Sequence, residues 1–320
     1  MKFALYVGRR LLQMIPMILA VTILNFMIIN LAPGDPVTVL AGEQATQEYM
    51  DELREAYGLN EPVVKRLGIY IGRLLRGDLG VSYSYKQPVS RIIWEKMKVT
   101  LMLILLSEVV TIVVGTFLGA LAARKEGKLT DQVISNGSMM LYCMPVFWLG
   151  MLLILLFAVK LRWLPSSGMY SFGISRYSRT VDLIRHLILP SFTLFLVHLP
   201  TYIKLTRSSV VEVADEDYIT TARAIGFSEK VVYRRHALRN ALLPTVTVAG
   251  MSLSTVFSGA LLTETVFSWP GMGRMIYDGV AARDYPIIMG GFLVTTILVV
   301  VGSFLIDILY MYLDPRVVHS

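Results

Sequence analysis

Cysteine occurs once in the 320 residues, at Cys143, which excludes a disulfide framework and any zinc or iron–sulfur site built on thiolates. The four histidines, His186, His198, His236 and His319, are too scattered to form an imidazole metal cluster. Charge is also scarce. Asp, Glu, Lys and Arg make up 17% of the chain, against about a quarter in a soluble protein. That shortfall excludes a disordered tail or a polyelectrolyte. What the chain has in abundance is apolar surface, with 55% hydrophobic residues and a mean hydropathy of +0.60. In so apolar a sequence a net charge of +7 matches the cytoplasmic flanks of membrane spans better than a nucleic-acid partner. The composition is that of an integral membrane protein, and its long apolar runs make the expected fold all-α.

Catalytic signatures are missing as well. A phosphate-cradling loop needs G-x-x-x-x-G-K-[ST]. The one Gly-Lys pair, Gly127-Lys128, is followed by Leu129, and Ala122 stands where the first glycine belongs. There is no H-E-x-x-H and no G-x-S-x-G elbow. The expectation is a non-catalytic chain with no cofactor of its own.

A helix crossing the hydrocarbon layer needs about 20 apolar residues, and six stretches qualify. Leu11–Leu31, Val133–Val159 and Ala241–Thr263 carry no charge, Val99–Ala123 carries only Glu108, and Pro286–Leu313 only Asp307. Leu187–Ile203 is the shortest and contains two prolines and His198. Lys2, Arg9 and Arg10 before the first stretch resemble the start of a signal peptide, but the apolar run is too long and no small-x-small site follows. It reads as a retained helix with its N-terminus in the cytoplasm. Six spans return the C-terminus to the same side. With the long segment 32–98 set aside, the inner segments hold fourteen Lys/Arg and the outer ones seven, as the positive-inside rule requires. The basic loop 160–185 runs against that rule.

Segment 32–98 reads as a helical insertion outside the membrane. In Gln44–Tyr57 the positions Ala45, Tyr49, Leu53 and Ala56 recur at helical spacing, and Gly58 is placed to end the helix. Pro62 suits the first turn of a second helix, with Val63, Leu67, Tyr70 and Leu74 along one face. These helices read equally as a docking platform or as a cap over the span ends.

Lys204–Asn240, between the fourth and fifth spans, is the most informative loop. Asp215, Glu216 and Asp217 stand where a helix starts and complement its dipole. Ile219, Ala222, Ile225 and Gly226 mark a narrow face, and Gly226 interrupts the helix. Ser228 is placed to cap the next helix, which runs through Val231, Val232, Arg234, Arg235 and Arg239. Two short helices at an angle, with small residues at the tip, suit a groove on another protein; a solvated loop is the plainer alternative.

The run Asp217-Tyr218-Ile219-Thr220-Thr221-Ala222-Arg223-Ala224-Ile225-Gly226, continuing through His236-Ala237-Leu238-Arg239-Asn240-Ala241-Leu242-Leu243-Pro244, resembles the coupling loop of ABC-importer permeases, specifically the dipeptide, oligopeptide and nickel branch. Further motifs follow in order: Pro33-Gly34-Asp35-Pro36, Gly77-Asp78-Leu79-Gly80-Val81-Ser82, Pro145-Val146-Phe147-Trp148-Leu149-Gly150, Glu264 to Gly273, and Leu313-Asp314-Pro315-Arg316. The general permease motif opens Glu-Ala-Ala, and here Thr220-Thr221-Ala222 stands in its place. That removes the usual glutamate and leaves Asp217 or Arg223 to supply charge.

The resemblance implies a type I ABC importer permease fold with six transmembrane helices, divided as 1–31, the insertion 32–98 and the core 99–320, with the coupling loop at 204–240. It implies a second homologous permease, two ATPase subunits carrying ATP and Mg, an extracytoplasmic solute-binding protein, and a prokaryotic inner membrane. ATPase coupling falls to Asp217, Tyr218, Thr220, Thr221, Ala222, Arg223, Ala224, Ile225, Gly226, Phe227 and Arg235. The expected cargo is peptide, with nickel, a metallophore, glutathione or an oligosaccharide as alternatives within the family.

At membrane depth, Glu108 reads equally as a pathway group or as a helix–helix hydrogen bond, and Asp307 as the latter. Gly115 and Gly119 form a G-x-x-x-G packing motif. Thr247, Met251, Ser254 and Ser258 form a stripe that either lines a pathway or bonds back to its own helix. Trp269, Pro270, Gly271 and Met272 suggest a loop folded back as a lid at the outer mouth, and Trp94 and Trp163 an interface belt. An ion-coupled secondary transporter would lean on Glu108, Asp307 and His198, but no internal repeat of the kind common in that class is evident.

Overall fold

The computed structural model describes residues 2–31, 36–41, 45–56, 58–171, 173 and 177–313. Their side chains are described except at 2–6, 36, 39–40, 56, 234, 243, 246, 250–259, 306–307 and 309–313. Among these residues every regular element is a helix, and the pairing of Val81 with Pro88 is an isolated bridge. The helices are α1 (Lys2–Leu31), α2 (Pro36–Ala41), α3 (Gln47–Ala56), α4 (Val63–Leu74), α5 (Val89–Arg124), α6 (Leu129–Tyr142), α7 (Val146–Leu153), α8 (Arg179–Ala214), α9 (Asp217–Ala224), α10 (Glu229–Val231), α11 (Leu238–Ala241), α12 (Leu243–Val266), α13 (Met272–Ala281) and α14 (Tyr285–Leu313). Two π-helical stretches, Ile154–Lys160 and Val232–Ala237, continue α7 and α10.

Among the described residues four helices are long and apolar enough to cross a membrane: α1, α5, α8 and α14. A fifth crossing results if α6 and Val146–Lys160 form one broken span, bent by 104°. The expected third span is therefore two arms. Pro145 explains the break, because it has no N–H and its ring collides with the carbonyl four residues back. It sits in an extended conformation, φ −61° and ψ 135°. The weakest expected span becomes a 36-residue helix with Pro190 and Pro200 inside it, so residues 204–214 of the expected inner loop are helical too. The fifth expected span is occupied by the 24 residues of α12.

The chain divides into two compact units. The first comprises 1–100 and 270–301. Its core sets Val89, Ile92 and Ile93 of α5 against Met272, Met275 and Ile276 of α13 and Ile287 of α14. Each triplet has i, i+3, i+4 spacing and so forms one helical stripe. α14 approaches closely through glycine: a Cβ on Gly290 would lie 2.6 Å from Val89 Cγ1, and one on Gly291 2.6 Å from Ile276 Cγ1.

The Gly77–Ser82 motif acts as a structural clasp. Gly80 takes φ +82° and its N–H donates to Asp78 Oδ1 at 2.8 Å. Ser82 Oγ donates to Asp284 Oδ2 at 2.6 Å, and the Ser84 N–H donates to the same oxygen at 2.9 Å. Asp284 also caps α14 by accepting the Ile287 N–H at 3.3 Å. Both expected insertion helices form. Gly58 follows the first with φ +65°, and Pro62 stands at the N-cap of the second, one position earlier than expected. Tyr70 stacks on Phe26 of α1 with 5.9 Å between ring centres, which fixes α4 to the end of the first span.

The second unit, 101–269 and 302–320, is organised around α8. Leu189 of α8 packs with Leu149, Leu153 and Phe267. Gly115 and Gly119 let α5 lie against α8: an added Cβ would meet Tyr202 Cβ at 2.5 Å and the Ile203 carbonyl oxygen at 2.6 Å, respectively. The motif packs helices as expected. The basic loop is engaged locally, with Arg185 donating to the Trp163 carbonyl at 2.6 Å and the Arg179 guanidinium 4.9 Å above the Tyr170 ring.

Candidate functional site: the elbow between α8 and α12

α9 begins where the acidic run predicts, with Glu216 at the N-cap and Asp217 in the first turn. The helix ends in a Schellman arrangement: the Gly226 N–H donates to the Arg223 carbonyl at 3.0 Å and the Phe227 N–H to the Ala222 carbonyl at 3.3 Å. Gly226 stands at φ +94°, a conformation that suits glycine because it has no Cβ to collide with the carbonyl. Its role is to turn the chain. An added Cβ would meet nothing within 4 Å, so bulk here strains the backbone and does not clash within the chain.

The expected narrow face divides in two. Ile219 and Ala222 are buried with Val232 and Ala237, and Val213 packs against them. They form a small core that fixes the angle of the elbow, so they are not free to enter a partner's groove. The apolar groups left outside are Tyr218, Phe227 and above all Ile225, which is 71% exposed. Thr220, Thr221, Arg223, Ala224 and Arg235 are exposed as well. Thr221 Oγ1 donates to the Asp217 carbonyl at 2.9 Å, and Asn240 Nδ2 to the Tyr218 hydroxyl at 3.0 Å. Arg223 pairs with Glu229 at 3.0 Å. Ser228 occupies the N-cap of α10, but its side chain makes no cap bond. Phe227 lies against His236 with 5.4 Å between rings.

Two contacts fasten the elbow's surroundings. Tyr233 donates its hydroxyl to the Ala120 carbonyl of α5 at 2.6 Å; burial raises its pKa, opposed by the charge of Arg124, which keeps the phenol a donor. Arg207, on the last turns of α8, grips Asp131 of α6 with both arms of its fork, at 2.6 and 2.8 Å. Asp131 is buried and also accepts from the Gly127 N–H at 3.0 Å and Ser135 Oγ at 3.1 Å. Sequence reasoning passed over this fork. The one available signal was an acidic residue in the first turn of a helix beside a basic loop.

The pathway candidates are distributed unevenly. Glu108 is buried and accepts the hydroxyl of Tyr202, joining α5 to α8. His198 is electrostatically close to Glu108, and its Nε2 is buried with no hydrogen-bond partner among the described residues. Thr247 is half-buried. The side chains of Met251, Ser254, Ser258 and Asp307 lie outside the described residues, as do Pro33-Gly34-Asp35, Asp314-Pro315-Arg316 and His319. The lid expectation meets a packed segment: Trp269 and Met272 are buried, the Trp269 N–H donates to the Glu264 carbonyl at 2.8 Å, and the Met272 N–H donates to Thr100 Oγ1 at 2.7 Å. Glu264, which sequence reasoning left inside a motif, is fully buried. Trp94 and Trp163 are both exposed.

A family profile described as "Binding-protein-dependent transport system inner membrane component" matches residues 115–319, and its N-terminal counterpart matches residues 3–104. The chain belongs to this family. Among its curated relatives, the dipeptide transport system permease protein DppB of Alkalihalophilus pseudofirmus is 37% identical, over 98% of each chain. The oligopeptide transport system permease protein AppB of Bacillus subtilis is 38% identical, over 98% of this chain and 99% of its own. The di/tripeptide permease DppB of Pseudomonas aeruginosa is also 38% identical, with the same coverage. An inward-facing structure of the MetNI methionine ABC transporter aligns over 70% of this chain and 97% of its own, with a TM-score of 0.54 and 16% identity. An amino acid ABC transporter aligns over 71% and 94%, at 0.50 and 14%. These likenesses show the type I importer permease fold, and the binding-protein-dependent permease is a multi-pass inner-membrane protein.

Proposed function

We propose that this permease forms half of the translocation pathway of an ATP-driven peptide importer. Its exposed elbow tip delivers the motion of the ATPase subunits to α8. The observation that carries the reading is the elbow itself, a short helix held rigidly by its own buried core while Ile225 and Phe227 project unburied. Covering an isoleucine side chain is worth about 1.5–3 kcal/mol, so two such groups make a credible anchor for a groove on another protein. The peptide cargo is supported by the names of the full-length relatives. On this reading ATP and Mg are held by the partner ATPase subunits, and the chain itself carries no catalytic group.

The remaining arrangement belongs to the same proposal. Six spans are α1, α5, the broken pair α6 to Lys160, α8, α12 and α14. Both termini are cytoplasmic, residues 32–98 lie outside, and the coupling region is 204–240 within the core 99–320. A second, homologous permease completes the pathway, with Thr247 as the described candidate for its lining, and a solute-binding protein delivers cargo from outside. On this reading the segment Trp269, Pro270, Gly271 and Met272 is the gate at the outer mouth.

Ile225→Asp tests the coupling role. It leaves the buried core and the Schellman turn intact, so the expected result is normal membrane abundance with roughly fiftyfold weaker retention of the ATPase subunits, corresponding to about 2–3 kcal/mol of lost burial, and loss of dipeptide uptake. Unchanged co-purification and uptake would remove the elbow tip from the interface.

A further inference from the structure

At the end of α5, Phe117, Ala120, Leu121 and Arg124 follow one another at i, i+3, i+4 and i+7, so they occupy one helical face. Across from that face stand Lys230 and Tyr233 of the elbow, and together they enclose a cavity of about 470 Å³. This is within the usual size of a ligand site. One end of the cavity is apolar: Phe117 is 66% exposed on a helix long and apolar enough to cross a membrane. The other end is cationic, with Arg124 and Lys230 both exposed. Among the described residues neither enters an ion pair; Arg124 only lies over the Tyr233 ring at 5.8 Å.

We infer that this cavity holds an anionic phospholipid, its phosphodiester between Arg124 and Lys230 and an acyl chain along Phe117 and Leu121. The geometry requires an amphiphile: about 10 Å of helix separates Phe117 from Arg124, so an apolar wall and a cationic mouth lie along one continuous path. α5 ends here at Arg124, and its carbonyl end carries the equivalent of about half a negative charge. Two full positive charges outweigh that, and the cavity lining itself has no carboxylate. The lipid would bridge α5 to the elbow beside the Tyr233 bond to Ala120, bracing the elbow against the span. This inference rests on α5 crossing the membrane. It does not depend on the cargo or on ATPase docking.

Native mass spectrometry of the intact transporter, delipidated in detergent and then titrated with phosphatidylglycerol or phosphatidylcholine, provides the test. A basic residue at an anionic lipid surface favours binding roughly fivefold, so R124Q/K230Q should weaken phosphatidylglycerol retention roughly thirtyfold, while R124K/K230R retains it. Hydrogen exchange across 229–238 should slow when phosphatidylglycerol is added to wild type and not when it is added to R124Q/K230Q. Should the double variant fail to assemble, K230Q alone, at an exposed position, carries the test with a fivefold loss. The inference is overturned if wild type shows no preference for phosphatidylglycerol over phosphatidylcholine, or if R124Q/K230Q keeps that preference. It is equally overturned if sn-glycerol 3-phosphate displaces the lipid at matched concentration, which would mark a site for soluble phosphate. Release of the ATPase subunits with lipid retention unchanged would assign the two cations to a protein contact instead.

Discussion

Tyr202→Phe removes one hydroxyl from the α5–α8 crossing and changes little else, because the Cβ that lies against Gly115 is kept. The hydroxyl it removes donates to Glu108, and both residues are buried, Tyr202 at 1% and Glu108 at 4% exposure. In a water-soluble protein a hydrogen bond to a charged group contributes about 1.5–3 kcal/mol. Comparable bonds between helices in a bilayer contribute about 0.6 on average and about 1.7 at most, since the unfolded chain in lipid also finds partners. Burial of both groups places this bond in the upper part of the membrane range, about 1–1.7 kcal/mol. Glu108→Gln keeps an acceptor and should cost less. Unfolding of the reconstituted permease should be measured for the wild type, both single variants and the double variant, which isolates the coupling between the two side chains. A coupling energy below about 0.3 kcal/mol, half the membrane average, would refute the bond as a fastening. Uptake separates the two readings of Glu108. As a fastening, Glu108→Gln retains dipeptide uptake at normal folded abundance. Loss of uptake with stability intact would place the carboxylate, with His198, in the pathway.

Other expected outcomes follow from the same contacts. Gly119→Val drives a side chain toward the Ile203 carbonyl at 2.6 Å and should cost about 1–3 kcal/mol by overpacking, read as reduced abundance and a lower melting temperature; normal stability would mean the helices separate easily. Asp131→Asn leaves the Arg207 fork facing a neutral group and, with Arg207 30% exposed, should cost about 1–2 kcal/mol; Arg207→Lys should not restore the bidentate grip, and a fully stable Asn variant would contradict the clamp. Asp284→Ala removes a cap and leaves Ser82 and Ser84 without their acceptor, for about 2–4 kcal/mol, measurable by thermal unfolding. Thr247→Cys in a Cys143→Ser background should react with a water-soluble thiol reagent in at least one transport state; complete protection in both defeats the lining role.

Much of the architecture can be read from composition and motif order, because lipid imposes a severe filter: long uncharged runs have few other fates, and five of the six expected apolar stretches correspond to single helices of ample length. The acidic start of α9, the turn at Gly226 and the close approach at Gly115 and Gly119 are local consequences of dipole, backbone sterics and side-chain size, which a linear reading captures. The bend at Pro145 shows where that reading ends. Proline announces a disruption, yet Pro190 and Pro200 sit inside one continuous helix whereas Pro145 divides a span by 104°. The difference lies in the neighbours, for Pro190 and Pro200 are both buried within α8's packing.

The elbow shows the same division. Its sequence determined that two short helices meet at a glycine, since no other residue takes φ +94° so readily. Only the tertiary structure decided which residues face a partner. Ile219 and Ala222 are as apolar and as well spaced as Ile225, but contact with Val232 and Ala237 draws them inward and leaves Ile225 and Phe227 outside. The clasp of Ser82 on Asp284 and the fork of Arg207 on Asp131 join residues 202 and 76 positions apart. Periodicity reports what a residue's own helix will do with it; which distant group will meet its hydrogen-bonding atoms is settled when the chain packs.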